Sequence, residues 1–229
     1  MSSPATTAWD LGSFVLHEPI TVLTDLLVTV VCWYAFFKLK SQPAGRLRML
    51  FRAYFFTMGL ATAYGGIIGH GFIVQLGFVW KMPGWIISMF SVALLERAAI
   101  FHAQPLLSPQ TGRWFARLNL VELFSLLLLV VYSRNFFFVE AHAAYGMLVV
   151  VLSLEYYIYH KTRSLGSRKL LWAVAIAALA ATTHLLELSI HRWFNHLDLS
   201  HVLMALGAWY FYKGAVLVLG EGDLKERPQ

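Results

Sequence analysis

Histidines and carboxylates recur in this sequence at helical spacing, inside or beside long apolar runs. Glu18, Thr21 and Asp25 follow i, i+3, i+7 and so share one helix face. His184, Glu187 and His191 repeat that spacing, and Asp198 and His201 stand three apart. His70 closes one apolar run; Glu140 and His142 open another. Ionisable side chains are costly in a bilayer and mark functional positions there. Imidazole with carboxylate is the usual donor set for Zn²⁺. A hydrolytic centre needs about three such ligands, an open position for water and a nearby acid or base, and further carboxylates orient the imidazoles. The ligand set that fits best is His70, His184 and His201. Asp198 and Glu187 then act as general base or as orienting carboxylates, with Glu18, Asp25, Glu140 and His142 as polar support.

Each residue also has a simpler reading. His17, His191 and His196 can sit among lipid headgroups. Asp198 can cap a helix, and His70, His184 and His201 can make ordinary interhelical hydrogen bonds. Glu18 before Pro19 fits a helix start, where a carboxylate complements the dipole. Asp25 lies too deep for capping. A second polar group comprises Glu96, Arg97, Asn119, Glu122 and Glu155, where pairing of Arg97 with Glu122 or Glu96 is the expected arrangement.

The elements that carry these residues follow from composition. Of 229 residues 59% are apolar and 13% charged, against about 25% charged in soluble domains. Such a chain needs lipid as part of its solvent. A spanning helix takes about 20 apolar residues, and seven runs meet that length: about 20–38, 51–72, 84–103, 114–132, 138–158, 169–190 and 200–219. They are continuous, whereas barrel strands alternate over about ten residues. The class is therefore all-α, a single multi-pass membrane domain.

Loop charges give a direction. Lys38, Lys40, Arg46, Arg48, Arg52, Arg97, Arg113, Arg117, Lys161, Arg163, Arg168, Lys169, Lys213, Lys225 and Arg227 fall on one side; Lys81, Arg134 and Arg192 fall on the other. Basic loops stay cytoplasmic, so the N-terminus lies outside, the C-terminus inside, and the number of spans is odd. Seven of the nine histidines then lie toward the outer side. The net charge of +6 serves anchoring and orientation, not nucleic-acid binding. The one cysteine, Cys32, excludes a disulfide framework. The first 37 residues lack Lys and Arg, so the first run reads as a retained helix, not a cleaved signal.

Seven helices, an outer N-terminus, a histidine ending the second helix and an Asp198–His201 pair on the seventh resemble the superfamily of alkaline ceramidases and progestin/adipoQ receptors. The segments Glu18–Asp25 and Asp198–Lys213 carry the likeness. The resemblance implies a seven-helix membrane hydrolase with zinc held by histidines of helices two and seven. Three positions depart from it. Leu197 and Ala205 stand four residues from His201, where the family has a second histidine. Gly66 replaces a serine four before His70, and Trp85–Phe90 lacks the family's aspartate. His184 would then supply the missing ligand from the sixth helix.

Two functions follow. One is a metal-dependent membrane hydrolase acting on a lipid amide or ester. The other is a non-catalytic subunit or lipid-binding partner of a larger membrane complex. Bis-histidine haem or quinone binding through His70, His184 or His201 is a third, and transport a fourth, without the broken-helix pair that marks a midplane site.

Overall fold

The computed structural model describes residues 7–225, with side chains as far as Glu221; Arg227 lies outside the described residues. The chain is helical nearly throughout. In order come α1 (Pro19–Lys38), α2 (Arg46–Tyr64), a short α3 (Ile73–Leu76), α4 (Met82–Ala103), α5 (Pro109–Ser133), α6 (Phe137–Ala144), α7 (Leu152–Thr162), α8 (Leu165–Leu185) and α9 (His196–Lys225). Six helical stretches are long and apolar enough to cross a membrane: Pro19–Ser41, Phe78–Leu106, Pro109–Ser133, Phe137–Thr162, Leu165–Leu185 and His196–Glu221. α2 carries Arg46, Arg48 and Arg52 in its first two turns and is not among the six.

Two π-helical segments interrupt the regular winding. Gly65–Gly71 extends α2 as far as His70, and Tyr145–Val151 joins α6 to α7 as one rod. A π turn shifts every later side chain around the axis, and such segments are frequent at functional sites.

α1 shows which solvent these helices meet. Pro19 starts it at a first-turn position, where the missing N–H costs nothing. Its buried face runs Thr21, Thr24, Asp25, Val28, Thr29, Cys32 and Ala35, polar toward one end and apolar toward the other. The opposite face exposes Leu23, Leu27, Val30, Trp33 and Phe37; Val30 is 65% exposed while Asp25 is 5%. Apolar outside and polar inside is the arrangement of a helix solvated by lipid.

The rods close into a bundle. α1 packs between α2 and α9, α9 against α8, and α8 against α7. α4 lies against α2, α5 and the α6–α7 rod. Interhelical polar contacts are short: the Thr29 hydroxyl meets that of Thr62 at 2.9 Å, and the Ser91 hydroxyl donates to the Tyr54 carbonyl at 3.0 Å. An antiparallel hairpin, β1 (Ala8–Asp10) and β2 (Val15–His17), precedes α1. It is tied to α3 through Gln75, whose amide donates to the Val15 carbonyl at 2.7 Å.

The largest difference from the sequence reading is the sixth run. Helix was expected to residue 190, but α8 ends at Leu185. Glu187 takes a left-handed conformation, φ 51°, and the chain turns through a bridge between His191 and Phe194. The face shared by His184, Glu187 and His191 needs a continuous helix, so it does not form.

Candidate metal centre

α1, α2 and α9 bring Glu18, Asp25, His70 and His201 to one end of the bundle. The Glu18 Oε2 atom accepts from His70 Nδ1 at 2.5 Å. The other ring nitrogen, Nε2, faces Asp25 Oδ2 at 4.0 Å. From α9, His201 Nε2 faces the second oxygen, Oδ1, at 3.6 Å. His201 Nδ1 lies 3.2 Å from the Thr24 hydroxyl oxygen. That hydroxyl already donates to the Thr21 carbonyl at 3.1 Å, so it accepts from His201, whose Nδ1 must carry the proton. Its Nε2 therefore presents a lone pair to a carboxylate. His70 likewise donates through Nδ1, to Glu18, and turns Nε2 toward the same Asp25 carboxylate. The two rings are 6.1 Å apart at their centroids, edge to face.

Small residues make this approach possible. A Cβ at Gly66 would lie 2.8 Å from the Asp25 Cβ and 3.3 Å from the Val22 carbonyl oxygen. The glycine found where the resembled family has serine is thus the residue that lets α1 close on the π turn carrying His70.

Asp198 is committed elsewhere. Its Oδ1 accepts from the Thr21 hydroxyl at 2.8 Å and its Oδ2 from the Asn195 backbone N–H at 2.7 Å. Asn195 Oδ1 in return accepts from the Leu197 N–H at 2.8 Å, a reciprocal cap at the start of α9. Asp198 thereby fixes α9 against α1 and sets the height of His201.

The remaining proposed residues have other nearest partners. His184 Nε2 is 3.4 Å from Glu140 Oε1, and its ring lies 5.6 Å from that of His196, both distances placing it with those groups. Glu187 is exposed in the turn after α8, where its carbonyl accepts from the Ser189 hydroxyl. His142 is fully buried on α6; it faces Glu122 of α5 and the Met89 carbonyl of α4 and does not support the His70 cluster. Arg97 meets neither carboxylate expected of it: its Nε donates to Asn119 Oδ1 at 2.9 Å, and Asn119 Nδ2 donates to Glu96 Oε2 at 3.1 Å. Glu155, read in the sequence with Glu96 and Arg97, belongs to a separate buried group. Glu155 takes His102 Nδ1 at 3.0 Å and the Ser167 hydroxyl at 2.7 Å. A cleft of about 520 Å³ lined by Phe36, Arg48, Arg52 and Phe56 lies at the basic end of α1 and α2, away from all these histidines.

Glu18 stands before the first turn of α1. The hydrogen bond from His70 holds its carboxyl below the ordinary range, outweighing burial, which acts the other way. An unfolded glutamate titrates near about 4.3. The folded value is lower, so the stabilisation is present above about pH 4.3 and is lost as pH falls through the folded value. Glu18→Gln is expected to flatten the acid limb of a melting-temperature profile. An unchanged limb would show that this pair contributes nothing to stability.

No curated protein and no solved structure matches the chain. The profile of a family of unknown function, DUF6962, matches residues 20–219, from the first turn of α1 to the C-terminal part of α9, and the chain belongs to that family.

Proposed function

We propose that this chain is a seven-span membrane hydrolase, N-terminus outside and C-terminus cytoplasmic, that uses a divalent cation, Zn²⁺ by donor type, on a lipid amide or ester. The ion is held by Asp25, His70 and His201. The seventh span is α2 with its π extension, which the odd parity required by the basic loops supports.

One observation carries the reading. Two imidazole Nε2 atoms face the two oxygens of one buried carboxylate at 3.6 and 4.0 Å, with the opposite ring nitrogens held by Thr24 and Glu18. Lone pairs facing one another repel unless a positive charge stands between them. Ligand atoms around a tetrahedral Zn²⁺ are about 3.3 Å apart for bonds of about 2.0 Å, so the two rings, 6.1 Å apart at their centroids, must draw together around the ion to make the site. Glu18 behind His70 is the carboxylate–histidine pairing that tunes a metal ligand. Asp25 and Glu18 together balance a dication, which a membrane interior favours.

Three protein ligands leave a position for water, and a bound dication makes hydroxide available near neutral pH. Asp198 positions α9 and is not free to act as base. The choice of a lipid substrate is supported by the cluster's position at one end of a bundle of helices apolar enough to span a membrane.

The test is elemental analysis of the purified protein beside hydrolysis of a fluorescent lipid amide and the matching ester. Chelation is expected to abolish turnover and Zn²⁺ to restore it. Full turnover by metal-free protein would overturn the proposal.

A further inference from the structure

A second constellation lies in a different part of the bundle, between α4, α5 and the α6–π segment. Glu96, Glu122 and His142 each offer one ligand atom, all within 4.8 Å of one another. His142 Nε2 is 2.8 Å from the Met89 carbonyl oxygen. A carbonyl only accepts, so Nε2 carries the ring proton. The lone pair on Nδ1 then faces both oxygens of Glu122, at 2.8 and 2.9 Å. Acceptor meets acceptor there, and a positive charge must lie between them.

A single proton would satisfy His142 and Glu122 but would leave Glu96 unexplained. Its Oε2 accepts from Asn119, whereas Oε1 is fully buried and has no partner among the described residues. A buried carboxylate oxygen without a partner is rare, and an ion is one of the few explanations. Gly146, in the second π-helical segment, lets that oxygen reach its place, since a Cβ there would sit 2.6 Å from it.

We propose that Glu96, Glu122 and His142 form a second cation site, independent of the Asp25 site, that takes a divalent first-row transition-metal ion. One imidazole and two carboxylate oxygens suit such ions. The two carboxylates neutralise the charge, as burial at this depth requires. Two of the three ligands are oriented from behind, His142 by the Met89 carbonyl and Glu96 by Asn119. Arg97, bonded to the same Asn119, links the site to the inner end of α4.

Metal-stripped full-length protein in detergent is dialysed against Zn²⁺ alone, and bound ions are counted in the wild type, Asp25→Asn, Glu96→Gln and the double variant. Binding of about two ions is expected in the wild type, about one in each single variant and none in the double variant. One ion kept by Asp25→Asn and lost with Glu96→Gln supports this site even where the first proposal fails. One ion lost with Asp25→Asn and kept by Glu96→Gln overturns this site alone and leaves a shared proton between His142 and Glu122. His142→Gln repeats the count should Glu96→Gln not elute as a single species. A Zn²⁺-induced rise in the melting temperature of Asp25→Asn is expected, and its absence counts against the site.

Discussion

Replacing Asp25 with asparagine is expected to remove the ion held with His70 and His201 and to lower lipid hydrolysis by about 10³-fold, the kinetic equivalent of the roughly 4 kcal/mol a catalytic metal supplies. The reasoning is local. Asp25 faces both Nε2 atoms, at 3.6 and 4.0 Å. An amide keeps its shape but removes the negative charge and turns one oxygen into a donor. That donor can bond an imidazole lone pair directly, so the variant is expected to melt no lower than the wild type. A residue that merely filled space between helices would give the reverse, lost stability with unchanged metal content. His201→Ala should lose the ion as well. Glu18→Gln, acting through His70, should weaken it only about 10- to 100-fold. His184→Ala should leave the ion count at this site unchanged, because His184 is held by Glu140. Wild-type metal content in Asp25→Asn would sink the assignment.

The bundle was legible because lipid-solvated helices announce themselves as uninterrupted apolar runs. The first run, placed at about 20–38, forms α1 at Pro19–Lys38. The sixth was read too far because Leu185, Leu186, Leu188 and Ile190 continue its hydropathy. All four are exposed, and the chain leaves the helix where Glu187 turns left-handed. Hydropathy cannot register one backbone angle. The spacing of Glu18 and Asp25 predicts one shared face, and both carboxylates face His70. That the partner is His70, with Asp25 between two rings, depends on which helices are neighbours and on the π turn at Gly65–Gly71. A 3.6-residue period contains neither fact. The Glu122–His142 pair escaped for a similar reason: the two residues were assigned to opposite depths, although mid-α5 and the first turns of α6 meet.

Gly166→Val is expected to be the most damaging single change in the scaffold, destabilising by about 3 kcal/mol, the upper range for overpacking a tight interface. A Cβ at 166 would lie 2.5 Å from Val218 Cγ2, 2.8 Å from the Val218 backbone nitrogen and 3.1 Å from its Cα. The first is a side-chain tip and can rotate away; the other two are helix backbone and cannot. The contact is mutual, since a Cβ at Gly214 would lie 2.6 Å from Leu170 Cδ2. Each helix receives the other's side chain on a glycine, the close backbone approach that packs helices in lipid, where burial alone gives little attraction. Moving α9 also moves Asp198 and His201, so metal at the first site should weaken together with the melting temperature, while the Glu96 site on α4 keeps its ion. Gly220→Ala is the control. It lies on the same helix with nothing within 4 Å of its Cβ and should be neutral or slightly stabilising through helix propensity. Adding Val218→Ala to Gly166→Val removes only the side-chain part of the clash, so rescue should be partial. Full rescue would show that backbone contact does not set the α8–α9 distance, and an unchanged melting temperature in Gly166→Val would show that the two helices are not packed this closely at all.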